Sequence, residues 1–229
     1  MSAAQASPAL TGPVEDYLKA IYDLERSGQA TTNEIALRLA ISPASVSGMV
    51  RRLAEQGLIR HEPYKGVRLT ASGRRAALRT LRRHRILECY LTEVLGYPWD
   101  RVHEEAEQLE HAASEELINR MDAALGNPRF DPHGAPIPTA DGEVDENPLR
   151  SLADARADEV VRVSRVLDED GSRLRYLAEL GIKPGAAVHI LEKAPFDGPI
   201  TFRVEGRRTP QRTMAVSLAQ QVFVEGSDG

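Results

Sequence analysis

Residues 101–111 bring four potential metal ligands together in a short stretch. These side chains are His103, Glu107, Glu110 and His111. Because residues 99–125 contain neither glycine nor proline, the stretch predicts a helix. At about 100° per residue, the four side chains would share roughly a third of its circumference. Imidazoles and carboxylates on one stripe are costly to bury without a cation. The pattern indicates a metal site or, alternatively, a solvated glutamate-rich face.

The preceding segment favours the metal site. Residues 72–95 predict a helix whose core seam is apolar except at His84 and Glu88. These two residues lie one turn apart, where two side chains can share one ion. A single histidine in a seam is usually a hydrogen-bonded core residue. A histidine with a glutamate, followed by a second segment rich in ligands, is better explained by metal binding.

Length and composition restrict the class of protein. The chain has 229 residues, enough for two domains or three small ones. Its one cysteine, Cys89, excludes an internal disulfide and a cysteine-based zinc site. No apolar run approaches the ~20 residues that span a bilayer, and residues 1–13 do not resemble a signal peptide. We therefore predict a cytoplasmic protein without membrane association.

Charge is distributed unevenly along the chain. The net charge is −5, yet residues 60–85 hold nine Arg and Lys against one Glu. Residues 104–122 are in contrast dominated by Glu and Asp. A basic block followed by an acidic block suggests one surface for phosphate and another for a cation.

The first 56 residues predict a helix-turn-helix. Residues 14–26 have an amphipathic pattern, Thr31 and Glu34 fit a capping box, and Ser42-Pro43 begins a third helix. The small residues at the start of this helix favour entry into the major groove of DNA. The residues predicted to contact DNA from this helix are Ser42, Ala44, Ser45, Ser47 and Arg51.

A basic hairpin follows the helix-turn-helix. Residues 58–61 and 67–70 predict two strands around a Pro-Tyr-Lys-Gly turn, which is the wing of a winged helix. Lys65 and Arg68 on this wing are expected to contact phosphates. The alternative is a small helical domain whose wing binds protein.

The remaining sequence predicts a linker and a β domain. Residues 126–150 are rich in Pro and Gly, and from residue 157 valine-rich strands alternate with turns. The predicted fold is mainly α with small β, ending in an SH3-like β-barrel. The predicted domains are 1–73 for DNA binding, 74–140 for metal binding and dimerisation, 141–156 as a linker, and 157–229 for the SH3-like barrel.

These motifs together resemble the diphtheria-toxin-repressor family of metal-dependent regulators. The resemblance rests on Asp16-Tyr17, on His84 with Glu88, on the ligands of residues 103–111, and on Pro132-His133-Gly134. It implies one metal site formed by Asp16, Glu107, Glu110 and His111. It implies a second site formed by His84, Glu88 and His103, which some members complete from the SH3-like domain. The matching acids in this chain are Glu169 and Asp170.

The resemblance also implies the choice of metal. The iron-sensing branch of the family has Met and Cys where this chain has Asp16 and Glu107. Oxygen donors suit harder ions, so Mn(II) is expected, with Fe(II) as the alternative and two sites per subunit. The expected function is a repressor of metal-uptake genes that binds a roughly palindromic operator as a homodimer. Leu117, Ile118 and Met121 suggest the dimer surface.

The sequence is also compatible with two other functions. One is a di-metal carboxylate enzyme, although the paired Glu-x-x-His spacing of di-iron bundles is missing here. The other is a winged-helix regulator that does not depend on metal.

Overall fold

The computed structural model describes residues 10–62, 66–145, 148–167, 170–206 and 210–226. The chain forms two compact units. The first comprises Met1–His84, Glu110–Ala113 and Pro138–Val144. The second comprises Arg85–Leu109, Ser114–Ile137 and Asp145–Gly229.

The first unit contains the predicted winged helix. Its elements are α1 (Gly12–Ser27), α2 (Thr32–Arg38), α3 (Pro43–Glu55), β1 (Ile59–Glu62) and β2 (Gly66–Leu69). Thr31 and Glu34 form the expected capping box, and the Ser42 hydroxyl caps α3 by accepting the Ser45 amide. Strands β1 and β2 pair antiparallel, with Ile59 opposite Leu69.

One apolar core joins these elements. Leu18 and Ile21 of α1, Ile35 of α2 and Val46 and Leu53 of α3 are fully buried in the same cluster. The amphipathic spacing of each helix turns one apolar face toward this core. A shift of α1 is therefore transmitted to α3, because a close-packed interior resists deformation.

The long helix α4 (Ala71–Glu93) agrees closely with the predicted range of 72–95. The helix predicted over residues 101–111 ends earlier than expected, at Leu109. The structure has α5 (Val102–Leu109) and α6 (Glu115–Ala124), separated by a turn. Ser114 begins α6 by accepting the Leu117 amide, and acidic residues in the first turn complement the helix dipole. Glu110 and His111 consequently lie in the turn and not on a helical stripe.

The second unit ends in a six-stranded sheet, which confirms the predicted small β domain. The strands are β3 (Arg150–Ser151), β4 (Val160–Val166), β5 (Ala187–Lys193), β6 (Ile200–Val204), β7 (Arg212–Met214) and β8 (Val222–Gly226). Their order is β3-β8-β4-β5-β6-β7, and every neighbouring pair is antiparallel. Two helices, α7 (Gly171–Glu179) and α8 (Val216–Ala219), and a 3-10 turn at Leu152–Asp154 accompany the sheet.

Two sequence expectations change in the second unit. Strand β3 pairs with β8, so residues 150–151 of the predicted linker belong to the sheet. Ile118 on α6 is fully buried within the chain, so it is not available for the predicted dimer surface. Leu117 is 43% exposed and remains available. None of the helices in the described ranges combines the length and apolar character needed to cross a bilayer.

Gly134 offers a test of the backbone packing in the second unit. Its φ is +87°, and a Cβ at this position would lie 1.9 Å from the Ser164 carbonyl oxygen. Gly185 has the same φ but open space around it. We expect Gly185→Ala to lower the free energy of unfolding by about 1–2 kcal/mol through the left-handed conformation alone. Gly134→Ala should lower it further, by about 1–3 kcal/mol, through the clash. Thermal unfolding of both variants measures this, and equal losses would contradict the close approach.

Candidate metal centres and nucleic-acid interface

The first unit gathers three predicted ligands around one point. Asp16 comes from α1, and Glu110 and His111 come from the turn that follows α5. The Nε2 atom of His111 lies 2.8 Å from Asp16 Oδ1 and 3.6 Å from Glu110 Oε1. One donor atom from each residue falls within 4.8 Å of the other two. Two carboxylate oxygens and one imidazole nitrogen at this separation can hold a divalent cation.

Glu110 is a fully buried carboxylate. Its Oε1 accepts a hydrogen bond from Lys19 Nζ at 2.7 Å, and its Oε2 accepts one from His84 Nδ1 at 2.6 Å. Burial raises the pKa of Glu110, but the bond from His84 and the charge of Lys19 outweigh it, so the net pKa is lowered. The carboxylate is therefore ionised when the pH is neutral, and its charge is available to a metal.

Asp16 and His111 share a proton-binding environment. Burial raises the pKa of Asp16, and the nearby His111 only partly opposes this effect. Burial lowers the pKa of His111, but the hydrogen bond to Glu15 and the charge of Asp16 overcome it and raise the pKa. The raised pKa of Asp16 therefore reflects loss of solvent, whereas the raised pKa of His111 reflects the carboxylates around it.

Other predicted ligands lie in the second unit. Glu88 is fully buried, and its Oε1 lies 3.3 Å from His103 Nδ1. The other nitrogen of His103, Nε2, lies 3.7 Å from Glu107 Oε1, one helical turn along α5. Glu88 and the first-unit residue His84 occupy consecutive turns of α4, and both are buried. The metal-binding role of each of these residues stays a prediction.

The structure also shows a cluster that sequence reasoning left out. Glu88, Asp131 and His133 are all buried and bring ligand atoms within 4.8 Å of one another. The His133 Nε2–H donates to the Trp99 carbonyl at 2.7 Å, so Nδ1 is the side nearer Glu88 Oε2, at 3.8 Å. Asp131 Oδ1 accepts the amides of His133 and Ala135. An acid two residues before a histidine in the Pro-rich segment was the available signal.

Asp170 is the N-cap residue of α7. Its Oδ1 caps α7 by accepting the amides of Ser172 and Arg173. The Ser172 hydroxyl and the Arg173 amide lower the pKa of this carboxyl. Among the described residues, no cluster of three potential ligands includes Asp170. Its neighbour Glu169 lies outside the described residues.

The residues predicted to contact DNA are exposed wherever the structure describes them. They are Ser42, Ala44, Ser45, Ser47, Arg51 and Arg68. The Ser42 and Ser45 hydroxyls lie 2.9 Å apart, and Ser47 Oγ donates to the Pro43 carbonyl. These small side chains leave the start of α3 free of bulk, and Gly48 has open space beyond it. Lys65 lies outside the described residues.

Three protein-family models match nearly the whole chain. Residues 9–67 match the N-terminal DNA-binding domain of iron-dependent repressors, and residues 70–139 match their metal-binding and dimerisation domain. Residues 150–226 match the FeoA domain. The exact domain boundaries predicted above stay a prediction.

Individual proteins are also similar over most of the chain. The iron-dependent repressor IdeR of Mycobacterium tuberculosis is 34% identical, over 94% of this chain and 98% of its own length. The diphtheria toxin repressor of Corynebacterium diphtheriae is 31% identical, over 86% and 91%. A solved manganese-dependent transcriptional repressor in complex with manganese is 42% identical, covers 93% of this chain and 99% of its own, and has a TM-score of 0.87.

These matches decide between the function classes left open by the sequence. They confirm the prediction that the chain is a metal-dependent DNA-binding regulator. They exclude the alternative of a di-metal enzyme, because the members of the family are transcription repressors. The chain belongs to the iron-dependent, or diphtheria-toxin, repressor family of metal-dependent DNA-binding proteins.

Proposed function

We propose that this chain is a Mn(II)-activated repressor of metal-uptake genes. It acts in the cytoplasm as a homodimer on a roughly palindromic operator. Fe(II) is the alternative activating metal. The observation that carries the proposal is the meeting of Asp16, on the first helix of the DNA-binding region, with Glu110 and His111, in the region that matches the metal-binding domain.

The arrangement supports a switch. Without a cation, repulsion between the carboxylates of Asp16 and Glu110 opposes the Lys19–Glu110 and Asp16–His111 contacts that hold α1 to the turn at 110–113. A bound divalent cation supplies the charge that holds these carboxylates together. Because α1 and α3 share one apolar core, fixing α1 restricts the position of the DNA-contacting helix.

The donor set supports manganese. Asp16 and Glu110 provide oxygen, His111 provides nitrogen, and Glu107 is proposed as a further oxygen donor. Carboxylate and imidazole suit Mn(II) better than the softer ions that prefer sulfur. Intrinsic affinity alone would favour metals later in the Irving–Williams order, so selectivity comes from coordination geometry and metal supply. The similarity to a manganese-dependent repressor solved with manganese supports this choice.

A second metal site per subunit is proposed around Glu88. Within the second unit, the proposed ligands are Glu88 and His103, and Asp131 with His133 is a competing way to complete the site. Both sets are rich in buried oxygen and nitrogen donors, which are stabilised by a cation.

For DNA, we propose that the start of α3 enters the major groove and that the wing contacts phosphates. The small, hydroxylated residues Ser42, Ala44, Ser45 and Ser47 allow a close approach, and Arg51 and Arg68 supply positive charge. Lys65 is proposed to act with Arg68. The exposed Leu117 and the partly buried Met121 on α6 are proposed to contribute to the dimer surface.

The switch predicts the behaviour of Asp16→Ala. Mn(II) should strengthen operator binding by the wild-type chain by roughly 5- to 150-fold, and operator should tighten Mn(II) binding by the same factor. In Asp16→Ala both effects should nearly vanish, because α1 loses its ligand. The coupling is measured by calorimetric titration of the protein with Mn(II), in the absence and in the presence of operator DNA. The operator is first obtained by in vitro selection from random DNA. Asp23→Ala, which removes an acid from the same helix, is the control. Equal Mn(II) affinities in the two wild-type titrations would refute the switch.

Arg68 tests the wing. Arg68→Ala should weaken binding to all DNA sequences and reduce the slope of log affinity against log salt by about 1 per protomer. Arg203→Ala serves as the control because Arg203 is an exposed residue of β6, outside the region that matches the DNA-binding domain. Fluorescence anisotropy over a series of salt concentrations gives both slopes. An unchanged slope for Arg68→Ala would count against a phosphate contact.

Ligand softness tests the choice of metal. Replacing Asp16 with Met and Glu107 with Cys should favour Zn(II) and Co(II) over Mn(II), because sulfur donors prefer softer ions. The measurement is the concentration of each metal that half-saturates DNA binding. Asp16→Glu keeps an oxygen donor and should keep the wild-type ranking. If the double variant also keeps that ranking, softness of the ligands does not determine the metal.

A further inference from the structure

Glu15 precedes Asp16 on α1 and contacts the same histidine from the other side. Its Oε2 lies 2.7 Å from His111 Nδ1, while His111 Nε2 lies 2.8 Å from Asp16 Oδ1. Two consecutive carboxylates of one helix therefore face the two nitrogens of one imidazole. Only the Nε2 side also approaches Glu110, at 3.6 Å. The donor cluster lies on that side.

The partners of Glu15 distinguish it from Asp16. Glu15 Oε1 accepts a hydrogen bond from Arg83 Nη2 at 2.5 Å, and both side chains are largely buried. The Arg83 guanidinium also donates to Thr80 Oγ1, one turn earlier on α4. Glu15 thus has a guanidinium on one oxygen and an imidazole on the other. Among the described residues, it belongs to no cluster of three potential ligands.

The histidine ring is also confined sterically. A Cβ on Gly12 would lie 3.3 Å from His111 Cγ, so the ring packs against the backbone of the first turn of α1. This contact limits tilting of the ring, while the bond from Nδ1 limits its rotation. A metal-ligating histidine commonly donates its other N–H to a carboxylate, which fixes both tautomer and orientation.

We infer that Glu15, itself held by Arg83, is a positioning residue that accepts the Nδ1–H of His111 and directs Nε2 toward Asp16 and Glu110. This inference rests on the proposed metal-binding function of His111. The Glu15–Arg83 pair carries no net charge, so it orients the ligand without adding repulsion to the acidic cluster. Arg83 lies on α4, so the pair also joins that helix to α1.

The experiment compares Glu15→Ala and Glu15→Gln with wild type, using the full chain without DNA. Calorimetry measures Mn(II) affinity, and nitrogen-15 NMR of the Zn(II)-loaded protein, which is diamagnetic, reports which nitrogen of His111 carries the proton. Asp23→Ala is the matched control, because Asp23 is an α1 acid paired with Arg38 in a more exposed setting.

We expect Glu15→Ala to weaken Mn(II) binding by about 10- to 100-fold. This is the usual effect of removing the carboxylate that accepts a hydrogen bond from a metal-bound histidine. The NMR signals of His111 should change from a single Nδ1–H form to a mixture. Glu15→Gln can still accept a hydrogen bond, so it should lose less affinity and keep the Nδ1–H form. Asp23→Ala should match wild type. If Glu15→Ala does not fold, Glu15→Gln still tests the inference. A Glu15→Gln protein with wild-type Mn(II) affinity but a changed His111 tautomer would contradict it.

Two further results would overturn the inference. The first is wild-type affinity and an unchanged Nδ1–H signal in Glu15→Ala. The second is equal loss of affinity in both Glu15 variants with unchanged His111 signals, which would make Glu15 a metal ligand. Failure of the proposed function looks different: wild type and Asp16→Ala would then bind Mn(II) equally, whatever the Glu15 variants do.

Discussion

The buried carboxylate of Glu110 is the group on which the candidate site of the first unit depends. An ionised carboxylate without solvent is strongly destabilising unless charge and hydrogen bonds compensate it. Lys19 of α1 and His84 of α4 provide that compensation at 2.7 and 2.6 Å. Three separate segments of the chain must therefore meet at one carboxyl group. The positions of Asp16 and His111 follow from this requirement. Asp16 lies one helical turn before Lys19, which contacts Glu110, and His111 directly follows Glu110 in the sequence.

In the proposed switch, this arrangement would link metal binding to DNA binding through short physical steps. Lys19 and Asp16 lie on α1, whose apolar face packs in the same core as α2 and α3. A change of charge balance at the acidic cluster acts on α1 directly. Because close-packed side chains transmit displacement, we expect the exposed face of α3 to respond to events at the cluster. No long pathway is needed, since both ends belong to one unit of the chain.

Local sequence patterns predicted most elements well because their causes are local. The capping box at Thr31 and the Ser42-Pro43 start of α3 depend on residues within one helical turn. The antiparallel pairing of β1 with β2 likewise agrees with two short segments that lie close together in the sequence. The end of α5 at Leu109 was not predicted, because no glycine or proline marks it. Ser114 begins the next helix. In the turn between the two helices, Glu110 contacts His84 and His111 contacts Asp16, and both partners are distant in sequence.

The sequence by itself determined the family and the fold class, since these depend on residue identity and on motifs with characteristic spacing. It placed Asp16, Glu110 and His111 in one site only through resemblance to that family. The tertiary structure alone decided which atoms meet: Glu15 on the Nδ1 side of His111, and Asp131 with His133 beside Glu88. The reason is physical. Spacing along a chain fixes neighbours within a turn or two, whereas contacts between residues about a hundred positions apart depend on how helices pack and where buried charges find their partners.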